Sequence, residues 1–178
     1  MNILYLGEAE CENITRFLRK FGEVKFFNNQ IIQLDCVKKF DWIISYGYRY
    51  ILDYKILSNT KNPIINLHIS YLPYNRGAHP NYWSFKEKTP SGVSIHYLDE
   101  GIDTGPILVQ ERCYFENSET LKTSYFKLKN SIEEMFYKNF EKIINGEITP
   151  IPQTSKGTYH SKNDLPKNIS WQTLIKNI

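Results

Sequence analysis

Short apolar segments alternate with helix-like segments along the first part of the chain, and this alternation limits the fold more than any other feature. The strand-like segments are residues 2–6, 24–27, 41–46 and 63–67. After the first of them, Ile14, Phe17 and Leu18 recur at intervals of three and four, which places them on one face of a helix. Residues 30–40 have similar spacing and predict a second helix. Apolar strands that alternate with helices are typical of sheets covered on both faces, so the pattern predicts an α/β fold with an open, doubly wound, mostly parallel sheet in three α/β/α layers.

The pattern changes in the second part of the chain. Its predicted elements are a helix, two strands and a long helix, at residues 77–85, 92–98, 107–114 and 118–145. Gly146 is expected to end the long helix, because glycine often follows the last helical residue. After Pro150 the sequence is polar and irregular. We therefore predict one domain over residues 1–150, with a C-terminal tail over residues 151–178 that packs on it.

Charge and cysteine content argue against several classes of partner. The formal net charge is only +3 and the lysines are scattered, whereas a nucleic-acid-binding protein shows a concentrated basic stripe. The cysteines, Cys11, Cys36 and Cys113, form no Cys-x-x-Cys pair, which argues against a zinc or redox motif. No stretch approaches the ~20 apolar residues needed to cross a bilayer, and the N-terminus has no signal-peptide pattern. We expect a cytoplasmic protein that binds no metal, no nucleic acid and no membrane, and the sequence leaves its oligomeric state open.

The turn after the first strand argues against a dinucleotide cofactor. It reads Leu6-Gly7-Glu8-Ala9-Glu10 and lacks the G-x-G-x-x-G pattern that brings a pyrophosphate close to the backbone. Its two carboxylates would also repel a pyrophosphate. The predicted sheet is therefore not expected to bind NAD.

Asn66 and His68 are the residues that point most directly to chemistry. They lie two apart at the end of a predicted strand, so their side chains share one face, and ligands bind at this end of parallel strands. Asp103 lies in the turn between two later strands. An amide stabilises a developing oxyanion, an imidazole takes the proton of an attacking amine, and a carboxylate orients that imidazole. Taken singly, each residue also fits a simpler role in capping a loop, packing in the core or forming a turn.

The wider sequence around these residues resembles the folate-dependent formyltransferases. Two segments carry the resemblance, NLHISYLPYNRGAHPNYW and SGVSIHYLDEGIDTGPIL. The family pattern is Asn-x-His-x-Ser-x-Leu-Pro, then a Gly, a strand that ends in His and an Asp-x-Gly-Pro loop. The matching residues are Asn66, His68, Ser70, Leu72, Pro73, Gly77, His96, Asp103, Gly105 and Pro106. The resemblance implies the Rossmann-like formyltransferase fold, with Asn66, His68 and Asp103 as the catalytic residues.

The resemblance also implies 10-formyltetrahydrofolate as the co-substrate. The segment SYGYRYIL, residues 45–52, is similar to the edge of the family's folate site. The pterin ring would bind mainly to backbone groups of this segment and of the later turn. The residues implied for folate binding are Tyr50, Ile51, Leu52, Leu98, Glu100 and Asp103.

Within the family, the chain is most similar to sugar N-formyltransferases, through residues 75–83 and 157–160. The residues implied on the acceptor side are Arg76, His79, Asn81 and Tyr82, whereas Trp83 and His160 also fit core packing and a solvated tail. The first turn departs from the Gly-rich phosphate loop of glycinamide ribonucleotide enzymes, and the chain length argues against a tRNA-binding domain. The expected acceptor is a nucleotide-linked amino sugar, as in polysaccharide or pseudaminic acid biosynthesis.

Three alternatives remain open at the level of sequence. The same residues would serve a formyltetrahydrofolate hydrolase that uses water as the nucleophile. A formyltransferase acting on another small amine, such as glycinamide ribonucleotide or an aminoacyl carrier, would share the same pattern. A non-catalytic folate-binding module would keep the fold without needing Asn66, His68 and Asp103 together.

Overall fold

The computed structural model describes residues 1–8, 10–28 and 30–178, and its contacts divide the chain into two units. The first unit contains Met1–His68 and His96–Pro106, and the second contains Ile69–Ile95 and Ile107–Ile178. The C-terminal tail therefore groups with the second unit, and the predicted boundary at residue 150 stays a prediction. Ala9, in the turn after the first strand, lies outside the described residues.

Parallel strands form the sheet of the first unit. They are β1 (Asn2–Gly7), β2 (Glu23–Asn28), β3 (Trp42–Tyr46) and β4 (Ile65–His68). Their order is β2-β1-β3-β4, and each neighbouring pair is parallel. Most of β1 and β3 is buried, as expected for strands covered on both faces. The mostly parallel α/β architecture predicted from the alternating pattern is thereby confirmed.

Short helices connect these strands. They are α1 (Glu12–Leu18), α2 (Leu34–Val37) and α3 (Tyr54–Leu57). The predicted helix over residues 30–40 is reduced to α2, because Ile31 is exposed and its apolar side chain does not contribute to the core. Helix α3 is missing from the sequence prediction because four residues are too few to show a helical period. It begins where the Asp53 carboxylate accepts a hydrogen bond from the Ile56 N–H at 2.9 Å.

The end of β6 (Gly92–Tyr97) and the start of β4 meet in the first unit. Strand β4 pairs in register with β3, with Asn66 opposite Ser45. Strand β6 ends beside β4, where the Leu98 N–H donates to the Ile64 carbonyl at 2.9 Å. The chain then turns, and the Tyr97 N–H donates to the Pro106 carbonyl at 3.0 Å. This turn, residues 98–106, therefore returns to the end of β6, next to the start of β4.

The second unit contains the long helix and the remaining strands. They are β5 (Arg76–Gly77), α4 (Pro80–Lys86), β7 (Ile107–Arg112), α5 (Leu121–Ile144) and β8 (Tyr159–His160). Thr120 caps α5 by accepting a hydrogen bond from the Thr123 N–H. Gly146 ends α5 as predicted, with a left-handed φ of 71° and its N–H donating to the Ile143 carbonyl.

The C-terminal tail is ordered by its contacts with the segment that follows β4 in the chain. Strand β8 pairs in parallel with β5. The Thr158 N–H donates to the Pro73 carbonyl at 3.2 Å, and the Ala78 N–H donates to the His160 carbonyl at 2.9 Å. Two residues of strand leave no period in a sequence, so an irregular tail was predicted where the structure forms β8.

Candidate active site

Asn66 and His68 lie at the carboxyl end of β4, as the sequence predicts. Leu67, between them, points into the core and is 3% exposed. The Asn66 residue is 9% exposed and the His68 side chain is 11% exposed. Because side chains alternate along a strand, burial of Leu67 directs the amide and the imidazole to the opposite face together.

Asp103 lies in the turn of residues 98–106 and is close to both Asn66 and His68. Its Oδ2 is 3.6 Å from His68 Nε2, and its Oδ1 is 3.4 Å from Asn66 Nδ2. Asp99 organises the turn, since its Oδ1 accepts hydrogen bonds from the Gly101 N–H at 3.1 Å and the Thr104 hydroxyl at 2.6 Å. The structure thus brings the amide, imidazole and carboxylate predicted from the sequence to one place within the first unit.

Gly105 is required at the end of this turn because the backbone passes very close to β6. A Cβ atom at this position would lie 1.9 Å from the Tyr97 carbonyl oxygen. Asp103 itself has a left-handed φ of 53°, which costs energy for a residue with a side chain. A strained conformation held by a tightly built turn is typical of a functional position.

His96 joins the group as a fourth polar side chain. It is fully buried, and its Nε2 lies 3.0 Å from Asn66 Nδ2 and 3.6 Å from Asp103 Oδ1. Its Nδ1 lies 2.8 Å from the Tyr97 carbonyl oxygen. A carbonyl only accepts hydrogen bonds, so in the neutral ring Nδ1 carries the proton and Nε2 accepts one from the Asn66 amide. We call Asn66, His68, His96 and Asp103 the polar cluster.

The sequence pattern contained His96 as the residue that ends a strand, yet it was not among the predicted catalytic residues. The other residues of β6 are mostly buried, as is typical of a core strand. The signal for His96 is its place in the family pattern, and the structure puts it beside Asn66.

The polar cluster has the parts needed for acyl transfer to an amine. An amide N–H at this position stabilises negative charge on a carbonyl oxygen as the carbon becomes tetrahedral. Two imidazoles beside one carboxylate offer routes for a proton to leave the attacking nitrogen. Distances of 3.4 to 3.6 Å between the carboxylate and its neighbours are longer than strong hydrogen bonds, so these groups are not locked to one another.

The predicted folate edge lies in the same unit and exposes apolar side chains. Tyr50 is 43% exposed and Ile51 is 75% exposed, whereas Leu52 is buried in the core. In the turn after β6, Leu98 is partly buried and packs against that core, and Glu100 is exposed. An exposed isoleucine and tyrosine beside a buried leucine offer apolar surface for a flat ring, which fits the co-substrate implied by the sequence.

The predicted acceptor-side residues lie in the second unit, and they differ in hydrogen bonding and burial. The Arg76 guanidinium donates to Gln153 Oε1 at 2.8 Å and to the Lys156 carbonyl at 3.3 Å. Asn81 donates to the Leu121 carbonyl and accepts from the Ser124 hydroxyl, both at 2.9 Å, which joins α4 to α5. Tyr82 is buried, whereas His79 is exposed.

Trp83 and His160 fasten the tail to α4. Their rings stack with centroids 3.9 Å apart and planes within 6°. His160 Nε2 also lies 3.1 Å from Glu87 Oε1, which is ion-pair distance when the ring is protonated, although the alignment is not that of a hydrogen bond. His160 is therefore engaged by a neighbouring ring and a carboxylate.

Within residues 1–8, 10–28 and 30–178, no group of three or more His, Cys, Asp or Glu residues is arranged to hold a metal ion. A separate search of the same described ranges finds no helix whose length and apolar character would let it cross a membrane.

Comparison with known proteins identifies relatives along most of the chain. The sequence model of the formyl transferase family matches residues 10–139, a range that contains the whole polar cluster. A methionyl-tRNA formyltransferase from Thermodesulfovibrio yellowstonii is 36% identical over 143 residues, which are 79% of this chain and 46% of that protein. A dTDP-4-amino-4,6-dideoxyglucose formyltransferase from Mycobacterium bovis is 26% identical over 131 residues, covering 74% of this chain and 55% of that protein. The chain thus spans about half the length of the curated relatives it matches.

Among solved structures, one relative matches over nearly the full length of both chains. It is the formyltransferase PseJ from Anoxybacillus kamchatkensis, in complex with UDP-4,6-dideoxy-4-formamido-L-AltNAc and tetrahydrofolate. The two chains are 41% identical with a TM-score of 0.92, and the match covers 99% of this chain and 96% of that one.

Proposed function

The chain belongs to the formyl transferase family, and from this premise we propose that it transfers the formyl group of 10-formyltetrahydrofolate to the amine of a nucleotide-linked amino sugar. The observation that carries the proposal is the polar cluster, in which the Asp103 carboxylate lies 3.4 to 3.6 Å from the Asn66 amide and both imidazoles, and that amide lies 3.0 Å from His96 Nε2. The near-complete match to a sugar formyltransferase structure supports the acceptor class.

In this proposal 10-formyltetrahydrofolate supplies an electrophilic formyl carbon and a nitrogen leaving group. The lone pair of the acceptor amine attacks that carbon, and the formyl oxygen gains negative charge. Asn66 stabilises that oxygen with an amide proton. Of its two Nδ2 protons, one points to His96 Nε2 at 3.0 Å, and the other is held only loosely by Asp103 Oδ1 at 3.4 Å. The loosely held proton is the one available to the oxyanion.

His68 and Asp103 handle the proton that the attacking amine must lose. The neutral imidazole accepts this proton, and the carboxylate at 3.6 Å stabilises the resulting cation. The same proton is returned to the folate nitrogen as the carbon–nitrogen bond to folate breaks, so no net proton is stored on the protein. His96 touches Asn66 rather than the reacting atoms, and its buried ring fixes the direction of the amide.

We further assign folate binding to the exposed apolar edge at Tyr50 and Ile51 and to the turn containing Leu98, Glu100 and Asp103. Support comes from the exposure of the two edge side chains. The relative PseJ is described with tetrahydrofolate bound, which supports the same assignment.

The choice of acceptor rests on the match to PseJ, which is 41% identical and covers 99% of this chain with a TM-score of 0.92. The methionyl-tRNA formyltransferase relative is 36% identical over 79% of this chain. We therefore propose a UDP-linked amino sugar of the type that PseJ is described with, which would place the reaction on a route such as pseudaminic acid biosynthesis.

A substrate panel tests the proposal. The purified chain would be incubated with 10-formyltetrahydrofolate and, separately, UDP-amino sugars, dTDP-amino sugars, glycinamide ribonucleotide and methionyl-tRNA, with mass gain of one formyl group as the readout. We expect formylation of a nucleotide-linked amino sugar and no product from an Asn66→Ala variant. Formylation confined to another amine would refute the sugar acceptor, and formate release without any amine would identify a hydrolase.

A further inference from the structure

The turn of residues 98–106 holds Asp103 in an uncommon backbone conformation. Its φ is 53°, and residues with a side chain seldom adopt a positive φ, although aspartate does so more readily than most. The value of φ sets the direction of the Cα–Cβ bond relative to the preceding chain, and so the direction of the carboxylate. A change to negative φ would swing Oδ2 away from its place 3.6 Å from His68 Nε2. The geometry proposed for proton transfer therefore depends on what holds this one dihedral angle.

Two side chains of the same turn, Asp99 and Thr104, are hydrogen-bonded to each other beside Asp103. The Thr104 hydroxyl donates to Asp99 Oδ1 at 2.6 Å, a length typical of a hydroxyl that donates to a carboxylate. The same oxygen accepts the Gly101 N–H at 3.1 Å. One carboxylate oxygen therefore ties the first part of the turn to the residue that directly follows Asp103. We call Asp99 and Thr104 the turn pair.

Close contacts restrain the chain on both sides of Asp103. A Cβ atom at Gly101 would lie 2.0 Å from Thr104 Oγ1, so this hydroxyl lies directly against the Gly101 backbone. On the other side, the Gly105 backbone lies against the Tyr97 carbonyl at the end of β6. An unfavourable φ persists only where the surrounding structure determines it, as these contacts do here.

The hydrogen bond of the turn pair is made by side chains near the surface. Asp99 is exposed and Thr104 is half-buried, so water competes for the bond and its net contribution to global stability is small. An aspartate that orders a turn is ordinary turn chemistry. The location distinguishes this turn, because Thr104 directly follows a carboxylate that lies 3.4 to 3.6 Å from three other side chains of the polar cluster.

We propose that Asp99 and Thr104 are positioning residues for formyl transfer, because their hydrogen bond holds Asp103 in the conformation that directs its carboxylate towards His68. They do not touch the reacting atoms and act through Asp103. The inference rests on the proposed function, in which that carboxylate stabilises protonated His68. It deepens that function by two residues that are absent from the matching residues of the family pattern.

Paired substitutions with matched controls test the proposal. Thr104→Val keeps the shape of the side chain and removes the hydroxyl, whereas Thr104→Ser keeps the hydroxyl. Asp99→Ala removes the acceptor, whereas Asp99→Asn keeps an oxygen in its place. We expect Thr104→Val and Asp99→Ala each to lower kcat by roughly tenfold, within the hundredfold that a group misplaced by about 1 Å can cost, with an unchanged KM for the acceptor amine.

The control variants and the double variant identify the bond itself as the cause. Thr104→Ser and Asp99→Asn should keep most of the wild-type kcat. The double variant Asp99→Ala/Thr104→Val should be no slower than the slower single variant, because both substitutions remove the same hydrogen bond and their effects are not additive.

Titration of the His68 ring, followed by NMR in the protein without substrates, tests the position of Asp103 independently of turnover. A nearby carboxylate favours the protonated ring, so Thr104→Val should move the midpoint of this titration to lower pH, and Asp103→Asn should move it further. Thr104→Val changes no charge, whereas Asp99→Asn removes a charge and keeps the bond, which separates the two causes. The ring of His96, with its centroid 6.3 Å from that of His68, is followed as a separate signal.

The two measurements distinguish a positioning role from a structural one. An unchanged His68 midpoint in Thr104→Val would overturn the proposal, whatever its kcat. Equal losses of kcat in Thr104→Ser and Thr104→Val, each with a lower Tm, would also overturn it, because the hydroxyl would then have no specific role. Failure of the wild-type protein to formylate any amine would refute the proposed function, and a shifted midpoint in Thr104→Val would still support the placement of Asp103 by the turn pair.

Discussion

Asn66, His68 and Asp103 of the polar cluster and the acceptor-side residues of segment 76–82 were predicted from the same family resemblance, yet the two regions use their polar groups differently. In the polar cluster, Asp103 lies 3.4 to 3.6 Å from its three neighbours, so none of these contacts is a strong hydrogen bond. In segment 76–82, Arg76 and Asn81 make hydrogen bonds of 2.8 and 2.9 Å to other parts of the second unit. Long contacts around the Asp103 carboxylate let these groups reorient towards a substrate, whereas the short hydrogen bonds of segment 76–82 stabilise the fold.

This comparison predicts which substitutions affect catalysis and which affect stability. Polar-cluster variants should lose rate and keep Tm, apart from the fully buried His96. Most variants of segment 76–82 should have a lower Tm and unchanged kinetic constants. His79 should be the exception, because its side chain is exposed. The predictions below run from the largest expected effect to the smallest.

Replacement of His68 is expected to have the largest effect. His68→Gln has similar size and hydrogen-bonding capacity but cannot take up a proton, so kcat for formyl transfer should fall by about 10²- to 10⁴-fold. Because glutamine is of similar size and keeps a polar side chain at this largely buried position, Tm should change little. Steady-state kinetics and thermal unfolding measure both quantities. A fall of less than tenfold in kcat would remove His68 from proton transfer and would shift that role to Asp103.

The sequence predicted the parts of the molecule that depend on repeated patterns. The parallel strands and α5 followed from apolar periodicity, because many residues contribute to each signal. Asn66 and His68 share a face because they lie two apart in β4, and Asp103 reaches both from the turn of residues 98–106.

Features that depend on a single contact were not predictable in this way. Strand β8 exists because residues 159–160 lie against β5, and nothing in an irregular tail indicates that pairing. The role of Asn81 depends on its hydrogen bonds to Leu121 and Ser124, more than 35 residues away in sequence. His96 was not predicted as a site residue, because a histidine between apolar residues of a strand has the same sequence pattern as a core residue.

Replacement of His96 is expected to have an intermediate effect, through the position of the Asn66 amide. His96→Phe removes the acceptor at 3.0 Å, and kcat should fall by up to about a hundredfold, the cost of a misplaced group, with unchanged KM values. It also leaves the Tyr97 carbonyl without its buried donor, which should cost about 1–3 kcal/mol of stability. His96→Gln keeps an oxygen that accepts from Asn66 and should recover part of kcat. If His96→Gln recovers Tm without kcat, the residue has only a structural role.

Replacement of Asn81 should have the smallest kinetic effect. It is the most direct test of the contrast between the polar cluster and segment 76–82. Asn81→Ala leaves the buried Leu121 carbonyl and Ser124 hydroxyl without their amide partner, which should cost about 1–3 kcal/mol in the free energy of unfolding. KM for the acceptor should stay within about twofold, because both ends of the amide already bind α5. His79→Gly, two residues earlier, is the matched control and should show the opposite result. KM for the acceptor should rise because an exposed side chain of the predicted acceptor segment is lost, and Tm should not fall because glycine tolerates the left-handed φ of 56°. Since the two positions lie in the same predicted acceptor segment, a raised KM in Asn81→Ala at wild-type stability would show that firm pairing does not exclude a polar group from substrate binding.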